Sequence, residues 1–112
     1  MEAVLTEALR AGPLEVRPAE DLAVVGSRTL NLTRHELGLL IALARRPGAV
    51  IGRQQLATEA WGRPLRAGDR SVDVYVRRLR QKLADAAPDW TFVHTHFAFG
   101  YRFQATKGTH VT

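Results

Sequence analysis

The stretch Asp69-Arg70-Ser71-Val72-Asp73-Val74-Tyr75-Val76-Arg77-Arg78-Leu79-Arg80-Gln81-Lys82-Leu83 decides how this chain folds. Val72, Val76, Leu79 and Leu83 recur at i, i+4, i+7 and i+11, which lines them along one stripe of an α-helix. At about 100° per residue the opposite arc carries Asp73, Val74, Arg77, Arg78, Arg80, Gln81 and Lys82. One face can be buried. The other offers four cations, an amide, a carboxylate and a small apolar group, the chemistry a helix needs in a DNA major groove. A basic amphipathic helix taken alone is more commonly a solvated face anchored by its stripe. The flanking sequence has to decide.

Upstream, Arg63-Pro64-Leu65-Arg66-Ala67-Gly68 reads as a loop, because proline and glycine interrupt any period. Before it, residues 53–61 read as a second helix with Leu56, Ala57, Ala60 and Trp61 inward, Gly52 as N-cap and Gly62 as a left-handed stop. Ala49-Val50-Ile51 is an extended connector. A first helix opens on Thr33-Arg34-His35-Glu36, a capping box in which threonine and glutamate each satisfy a free amide. Leu37, Leu40, Ile41 and Ala44 form its buried stripe, widened by Leu39 and Leu43. Arg45 and Arg46 suit the negative end of its dipole, and Pro47-Gly48 stops it. Earlier still, residues 14–17, 22–25 and 28–32 read as short strands of an antiparallel meander, parted by turns at 18–21 and 26–27. Residues 1–12 are open between an amphipathic turn through Val4, Leu5, Ala8 and Leu9 and a lead-in or linker.

Downstream, Pro88-Asp89 breaks the helix. Two runs rich in aromatic and β-branched residues follow, 90–95 and 99–104, with a short link at His96-Phe97-Ala98. They read as a β-hairpin. Residues 106–112 read as a flexible tail, so the domain is expected over 13–105. The order is sheet, helix, helix, loop, helix, hairpin. That is an α+β winged helix-turn-helix, in which the second helix supports the third in a groove and the hairpin reaches an adjacent groove or the backbone.

Composition narrows the function classes. The 112 residues suit one domain, and 46% hydrophobic content allows one modest core. The absence of cysteine excludes disulfides and thiolate zinc sites. No apolar run approaches the ~20 residues of a membrane span, and no signal peptide opens the chain, so the cytoplasm is expected and a membrane partner is not. The net charge of +5 is uneven: residues 1–36 hold four arginines against six acids, and the remainder holds 12 cations against five acids. Such a positive lobe attracts polyanions. His94 and His96 share a strand face but lack a third ligand, so no metal is expected. A glycine-rich phosphate loop and a nucleophile–base pair are both missing. An enzyme, a cofactor and a small-molecule substrate are therefore not expected.

Several segments in order resemble the DNA-binding output domain of OmpR/PhoB-type response regulators. They are Leu32-Thr33-x-x-Glu36-Leu37-x-Leu39-Leu40, Pro47-Gly48-x-Val50-Ile51-x-Arg53-x-x-Leu56, Trp61-Gly62, residues 70–83 and Gly100-Tyr101-Arg102-Phe103. The resemblance spans residues 14–103. It implies a four-stranded N-terminal sheet, hence one further strand, sought within residues 4–10. It also implies that the helix at 70–83 enters the major groove of double-stranded DNA. By position Arg78 falls on a base-reading arginine, with Arg77, Asp73, Val74 and Tyr75 near bases or sugar-phosphate, and Arg70 and Arg80 on phosphate contacts. The helix geometry sorts them similarly: Arg77, Arg78, Val74 and Gln81 are central, while Arg80 and Lys82 border the arc and suit phosphates. Ser71 and Arg53 join the phosphate set. Tyr75 borders the buried stripe and is open between core and DNA. Asp73 is open between accepting from cytosine, holding a neighbouring arginine and favouring the helix N-terminus.

In family members that activate transcription, the loop opened by the tryptophan touches RNA polymerase; here that is residues 62–68, with Trp61, Arg63, Leu65 and Arg66. The resemblance further implies a homodimer in tandem on direct-repeat half-sites. A receiver domain's acidic pocket has no counterpart in these residues, which leaves excision from a longer regulator and control without phosphorylation both open. The wing departs from the pattern. Family members commonly carry an arginine followed by glycine at its tip, and this chain has Phe97-Ala98. Minor-groove contact is then expected to be weaker or differently aimed, through His96, Phe97 or Arg102. Hairpin aromatics usually serve the core, which is the expectation for Phe99 and is open for Phe97. The competing class is a protein-interaction module that binds polymerase or another regulator, with DNA secondary.

Overall fold

The computed structural model describes residues 7–108. Its N-terminal sheet is antiparallel, with β1 (Leu9–Ala11), β2 (Leu14–Arg17), β3 (Leu22–Val25) and β4 (Arg28–Thr29) side by side in chain order. Period-two alternation buries Leu14 and Val16 on β2, and Val16 stands opposite Ala23 of β3. β1 is the fourth strand that the resemblance implied. Leu9 pairs with Val16 and Ala11 with Leu14, so the sheet starts ahead of residue 13 and occupies part of the expected lead-in. The amphipathic turn read through Val4 and Leu5 falls on residues outside those described. The run at 28–32 is a strand only over Arg28–Thr29; beyond it the Leu30 amide donates to Ala23 O at 2.8 Å and its side chain is buried.

Helix α1 (Arg34–Ala44) carries the capping box: the Glu36 amide donates to Thr33 Oγ1 at 3.2 Å, and the Thr33 amide donates to Glu36 Oε1 at 2.8 Å. Its buried residues are Glu36, Leu39, Leu40, Ala42, Leu43 and Ala44, so Leu40 and Ala44 of the expected stripe and its flanks Leu39 and Leu43 are inward, while Leu37 and Ile41 are only partly covered. The buried face is therefore turned away from Leu37 and Ile41. The cause is Glu36, whose carboxylate has partners inside and so takes a core-facing place. Helix α2 (Arg53–Trp61) has Gly52 as N-cap and stops at Gly62, whose φ of 71° is the left-handed conformation that suits glycine. Helix α3 (Ser71–Ala86) buries Val72, Val76, Leu79 and Leu83, the stripe read from the sequence.

The C-terminal sheet has three strands, β5 (Val50–Ile51), β7 (Gly100–Lys107) and β6 (Trp90–His96), in the order β5-β7-β6. The stretch at 49–51, read as a connector, thus contributes an edge strand, with Val50 opposite Arg102 and Ile51 opposite Tyr101. β7 runs through Lys107, two residues past the expected domain limit. Trp90, Phe92 and Phe103 stack with centroids 6.2 and 6.3 Å apart, and they close the core against the leucines of α1 and α3. Among the described residues, no helix is long and apolar enough to cross a membrane.

Candidate nucleic-acid interface

The buried stripe of α3 fixes which residues look outward. Val74 is 43% exposed, and Arg77, Arg78 and Gln81 are exposed beside it. Among the described residues neither Arg77 nor Arg78 has a carboxylate within 4 Å. The Arg78 guanidinium lies 5.4 Å from the centre of the Tyr75 ring. Tyr75 is itself stacked on His35 at 4.9 Å and meets the edge of Trp61 at 5.6 Å, so it belongs to an aromatic cluster joining the three helices. Arg70 enters from the first turn, and a cleft of about 420 Å³ lies between Arg70, Asp73, Val74, Arg77 and Arg78.

Asp73, the acid in that first turn, is turned toward other elements. Its Oδ1 accepts from Arg53 Nε of α2 at 2.7 Å and from the Tyr101 hydroxyl of β7 at 2.5 Å. Burial pushes its carboxyl up, but the Tyr101 hydroxyl and the Arg53 and Arg70 guanidinium groups outweigh that and hold it below its usual range. Burial, reinforced by Asp73, raises the Tyr101 phenol. Asp73 thus stays ionised and ties α3 to α2 and to the hairpin. Arg80 makes a second tie, donating through Nη1 to Thr95 Oγ1 at 2.7 Å and Val93 O at 3.3 Å on β6. Lys82 makes a third, donating to Glu36 Oε1 at 2.7 Å and to Asn31 O at 2.9 Å. Burial raises the Glu36 carboxyl, and Lys82 with the Thr33 amide brings it back below the ordinary value.

The hairpin tip is apolar and exposed. Phe97 is 90% exposed and Phe99 74%, which corrects the expectation that Phe99 lies in the core. The inward places on this hairpin are already filled by Phe92, Val93, Tyr101 and Phe103. The Phe99 amide closes the turn onto His96 O at 2.9 Å, and Ala98 within it has φ 70°, where glycine is the usual occupant. At Gly100, φ is 141° and a Cβ would stand 2.0 Å from Ile51 O, so only glycine lets β7 press against β5 here. Arg102 Nε donates to His96 Nε2 at 2.9 Å, and its guanidinium also reaches Gln104 Oε1.

The family described as "Transcriptional regulatory protein, C terminal" matches residues 27–103, more than half of the chain. The chain belongs to this family of OmpR/PhoB-type winged-helix DNA-binding domains. It is 37% identical over 102 residues to the transcriptional regulatory protein TcrA of Mycobacterium tuberculosis, covering 91% of this chain and 40% of that protein. It is 36% identical over 87 residues to the Bacillus subtilis regulatory protein YclJ, covering 78% of this chain and 37% of that one. The chain therefore spans about two fifths of the length of these relatives. The DNA-binding domain of CpxR from Escherichia coli superposes with a TM-score of 0.80 at 30% identity, covering 90% of this chain and 100% of that one. The Klebsiella pneumoniae RstA DNA-binding domain, solved in complex with the RstA box, superposes with a TM-score of 0.76 at 30% identity, covering 88% and 97%.

In this OmpR/PhoB-type domain the loop after Trp61 is held firmly. Gln54 clasps it like a paired strand: its Nε2 donates to Leu65 O and its Oε1 accepts from the Leu65 amide, both at 3.0 Å. Trp61 donates through Nε1 to His35 O at 3.1 Å, and it and Leu65 pack against the core. Arg63 lies over the Trp61 ring at 5.3 Å with Asp69 at 3.7 Å, while Arg66 points to solvent. Ser71 is half-buried, its amide donating to Asp69 Oδ1 at 2.8 Å. Of the residues expected at DNA, then, Arg70, Val74, Arg77, Arg78 and Gln81 are outward on one arc. Asp73, Arg53, Arg80 and Lys82 are engaged within the fold. Sequence reasoning missed Tyr101 and Thr95 as partners of the helix and Gln54 as the clasp of the loop. A buried tyrosine hydroxyl needs a polar partner, and that was the available signal for Tyr101.

Proposed function

We propose that this domain binds double-stranded DNA sequence-specifically through α3 in the major groove. Arg78, Arg77, Val74 and Gln81 meet base edges, Arg70 meets phosphate, and Arg53, Ser71, Arg80 and Lys82 border the same surface. One observation carries the reading: α3 presents Arg77 and Arg78 outward with no carboxylate partner among the described residues, while its first-turn acid is paired with Arg53 and accepts a hydrogen bond from Tyr101. A solvated face would gain nothing from that separation. A groove-reading face needs it, since an exposed carboxylate beside phosphates would repel them. Asp73 accordingly acts as a positioning residue, orienting Arg53 and the helix.

Selection of bound sites from a random duplex pool would give the operator, and Arg78→Ala is the decisive change on it. Loss of a bidentate guanine contact is worth ~1–3 kcal/mol, so affinity should fall roughly tenfold and discrimination at one base pair should relax. An affinity change under about twofold would remove the base-reading role of Arg78.

The resemblance to OmpR/PhoB-type regulators adds two further parts to this proposal. Copies bind side by side on direct repeats, and Arg63 and Arg66, braced by Trp61 and Leu65, meet RNA polymerase. A duplex with two repeated half-sites should bind cooperatively, and Arg66→Ala should weaken polymerase recruitment there without weakening DNA binding. Independent binding of two copies, or unaltered recruitment, counts against the corresponding part.

A further inference from the structure

The hairpin tip carries two phenylalanine side chains that the fold does not use. Phe97 and Phe99 flank Ala98 at the far end of a three-stranded sheet, 90% and 74% exposed. Large rings left in water on an otherwise well-packed domain mark a contact surface. Its surroundings indicate the partner's charge. Residues 90–107 hold no aspartate or glutamate, and Arg102 is the hairpin cation on the tip side, Lys107 lying opposite Trp90 at the other end. Arg102 stands behind the tip on His96, and Arg80 is bound to the same hairpin through Thr95. The surface is apolar at its point and cationic at its base, which complements a polyanion with stacked aromatic faces inside it.

The mounting is also rigid. Gly100 presses on Ile51 O, Arg80 joins α3 to β6, and the Tyr101 hydroxyl joins β7 to Asp73 of α3. A helix set in one groove therefore fixes where the tip goes. We propose that the Phe97–Phe99 tip is an apolar wedge that enters the minor groove beside the α3 site and inserts an aromatic ring at a base step, bending the duplex. Ring insertion between base pairs costs unstacking and is returned by stacking on the ring, most readily at deformable pyrimidine–purine steps. This rests on the DNA-binding proposal and adds a mode of contact at the position where a charged tip is absent.

The test uses the 112-residue chain and a duplex carrying its selected site, with 2-aminopurine placed at successive flanking steps and a fluorophore pair at the ends. The wild-type chain should raise 2-aminopurine fluorescence at one step and shorten the end-to-end distance. Phe97→Ala with Phe99→Ala should abolish both signals and weaken binding roughly tenfold, while Arg78→Ala keeps the unstacking signal at saturation. Both rings are exposed, so the double variant should fold, and its melting curve checks this. A wild-type chain that binds duplex with no unstacking at any step overturns the wedge alone. A double variant that keeps DNA affinity and unstacking but loses RNA polymerase overturns it in favour of a protein contact. A wild-type chain that binds no duplex overturns the DNA-binding proposal, and the wedge with it.

Discussion

Glu36 is 1% exposed, the one charged side chain buried to that degree among the described residues, and it does two jobs. Its Oε1 accepts from the Thr33 amide, completing the cap of α1, and from Lys82 Nζ, tying α3 to that cap. A carboxylate so placed is stable only while both partners are present. Lys82→Met should therefore cost about 2 kcal/mol, less than the roughly 3–5 of a fully buried pair, because the ammonium is partly hydrated. The sign of the pH effect follows from the direction of the shift. The folded carboxyl titrates below its ordinary 4.5, so the folded chain binds fewer protons than the unfolded chain in that region. The contribution of Glu36 is complete above the ordinary value and is lost as pH falls through the folded one. Asp73, also lowered, acts in the same direction. Urea midpoints taken from about pH 7 down to about pH 3 should fall steeply below about pH 4.5 for the wild type and less steeply for Glu36→Gln. Parallel curves for the two proteins would show that Glu36 is not a source of the acid sensitivity.

At the scale of elements, α3 is held at three points: Asp73 to α2 and β7, Arg80 to β6, and Lys82 to α1. Helix and wing consequently form one unit, and the outward arc is presented without rearrangement, the geometry on which both proposals depend. What could be read from the sequence was local. The α3 stripe, the Thr33–Glu36 box, and Gly52 and Gly62 bounding α2 are set by neighbours within a turn or two, and periodicity with cap chemistry reports them. Three and two residues hold too little period to show β1 and β5; β1 was expected only from the resemblance, and β5 exists by pairing Val50 with Arg102 and Ile51 with Tyr101. The face of α1 was misplaced at Leu37 because a carboxylate reads as outward until Lys82, 46 residues on, is known to meet it. The candidate site divides along the same line. Arg70, Arg77, Arg78 and Gln81 lie where helical period puts them. Arg80 and Lys82 lie at the border of the arc as expected but turn to β6 and α1, and Asp73 holds Arg53 and Arg70, one of the alternatives open for it; which element supplies each partner is invisible to a one-dimensional reading.

Over the whole molecule, those internal pairings decide where positive charge is left over. Arg45 meets Glu7, Arg46 meets Glu59 and Arg63 meets Asp69, away from the α3 arc. Arg77, Arg78, Arg80 and Arg102 have no carboxylate within 4 Å among the described residues, and Arg70 is 81% exposed with Asp73 only at 3.9 Å. Arg28, Arg34, Arg66 and Lys107 also lack a carboxylate partner among the described residues, but they are scattered over β4, the start of α1, the 62–68 loop and the end of β7, so the unpaired cations cluster on α3 and the root of the wing. If about four of these cations neutralise phosphates, the logarithm of the binding constant should fall with the logarithm of salt at a slope near −3.6, roughly 10²-fold between about 50 and 200 mM. Arg70→Ala separates phosphate contact from base reading. It should weaken binding about equally on selected and scrambled duplexes and reduce the slope by about 0.9, whereas Arg78→Ala should lower the preference for the selected site. Both variants can be titrated by fluorescence anisotropy across a salt series on the two duplexes. A wild-type slope shallower than about −1 would deny that this charged surface meets the DNA backbone. An Arg70→Ala chain with an unchanged slope and altered sequence preference would move Arg70 from the phosphates to a base edge.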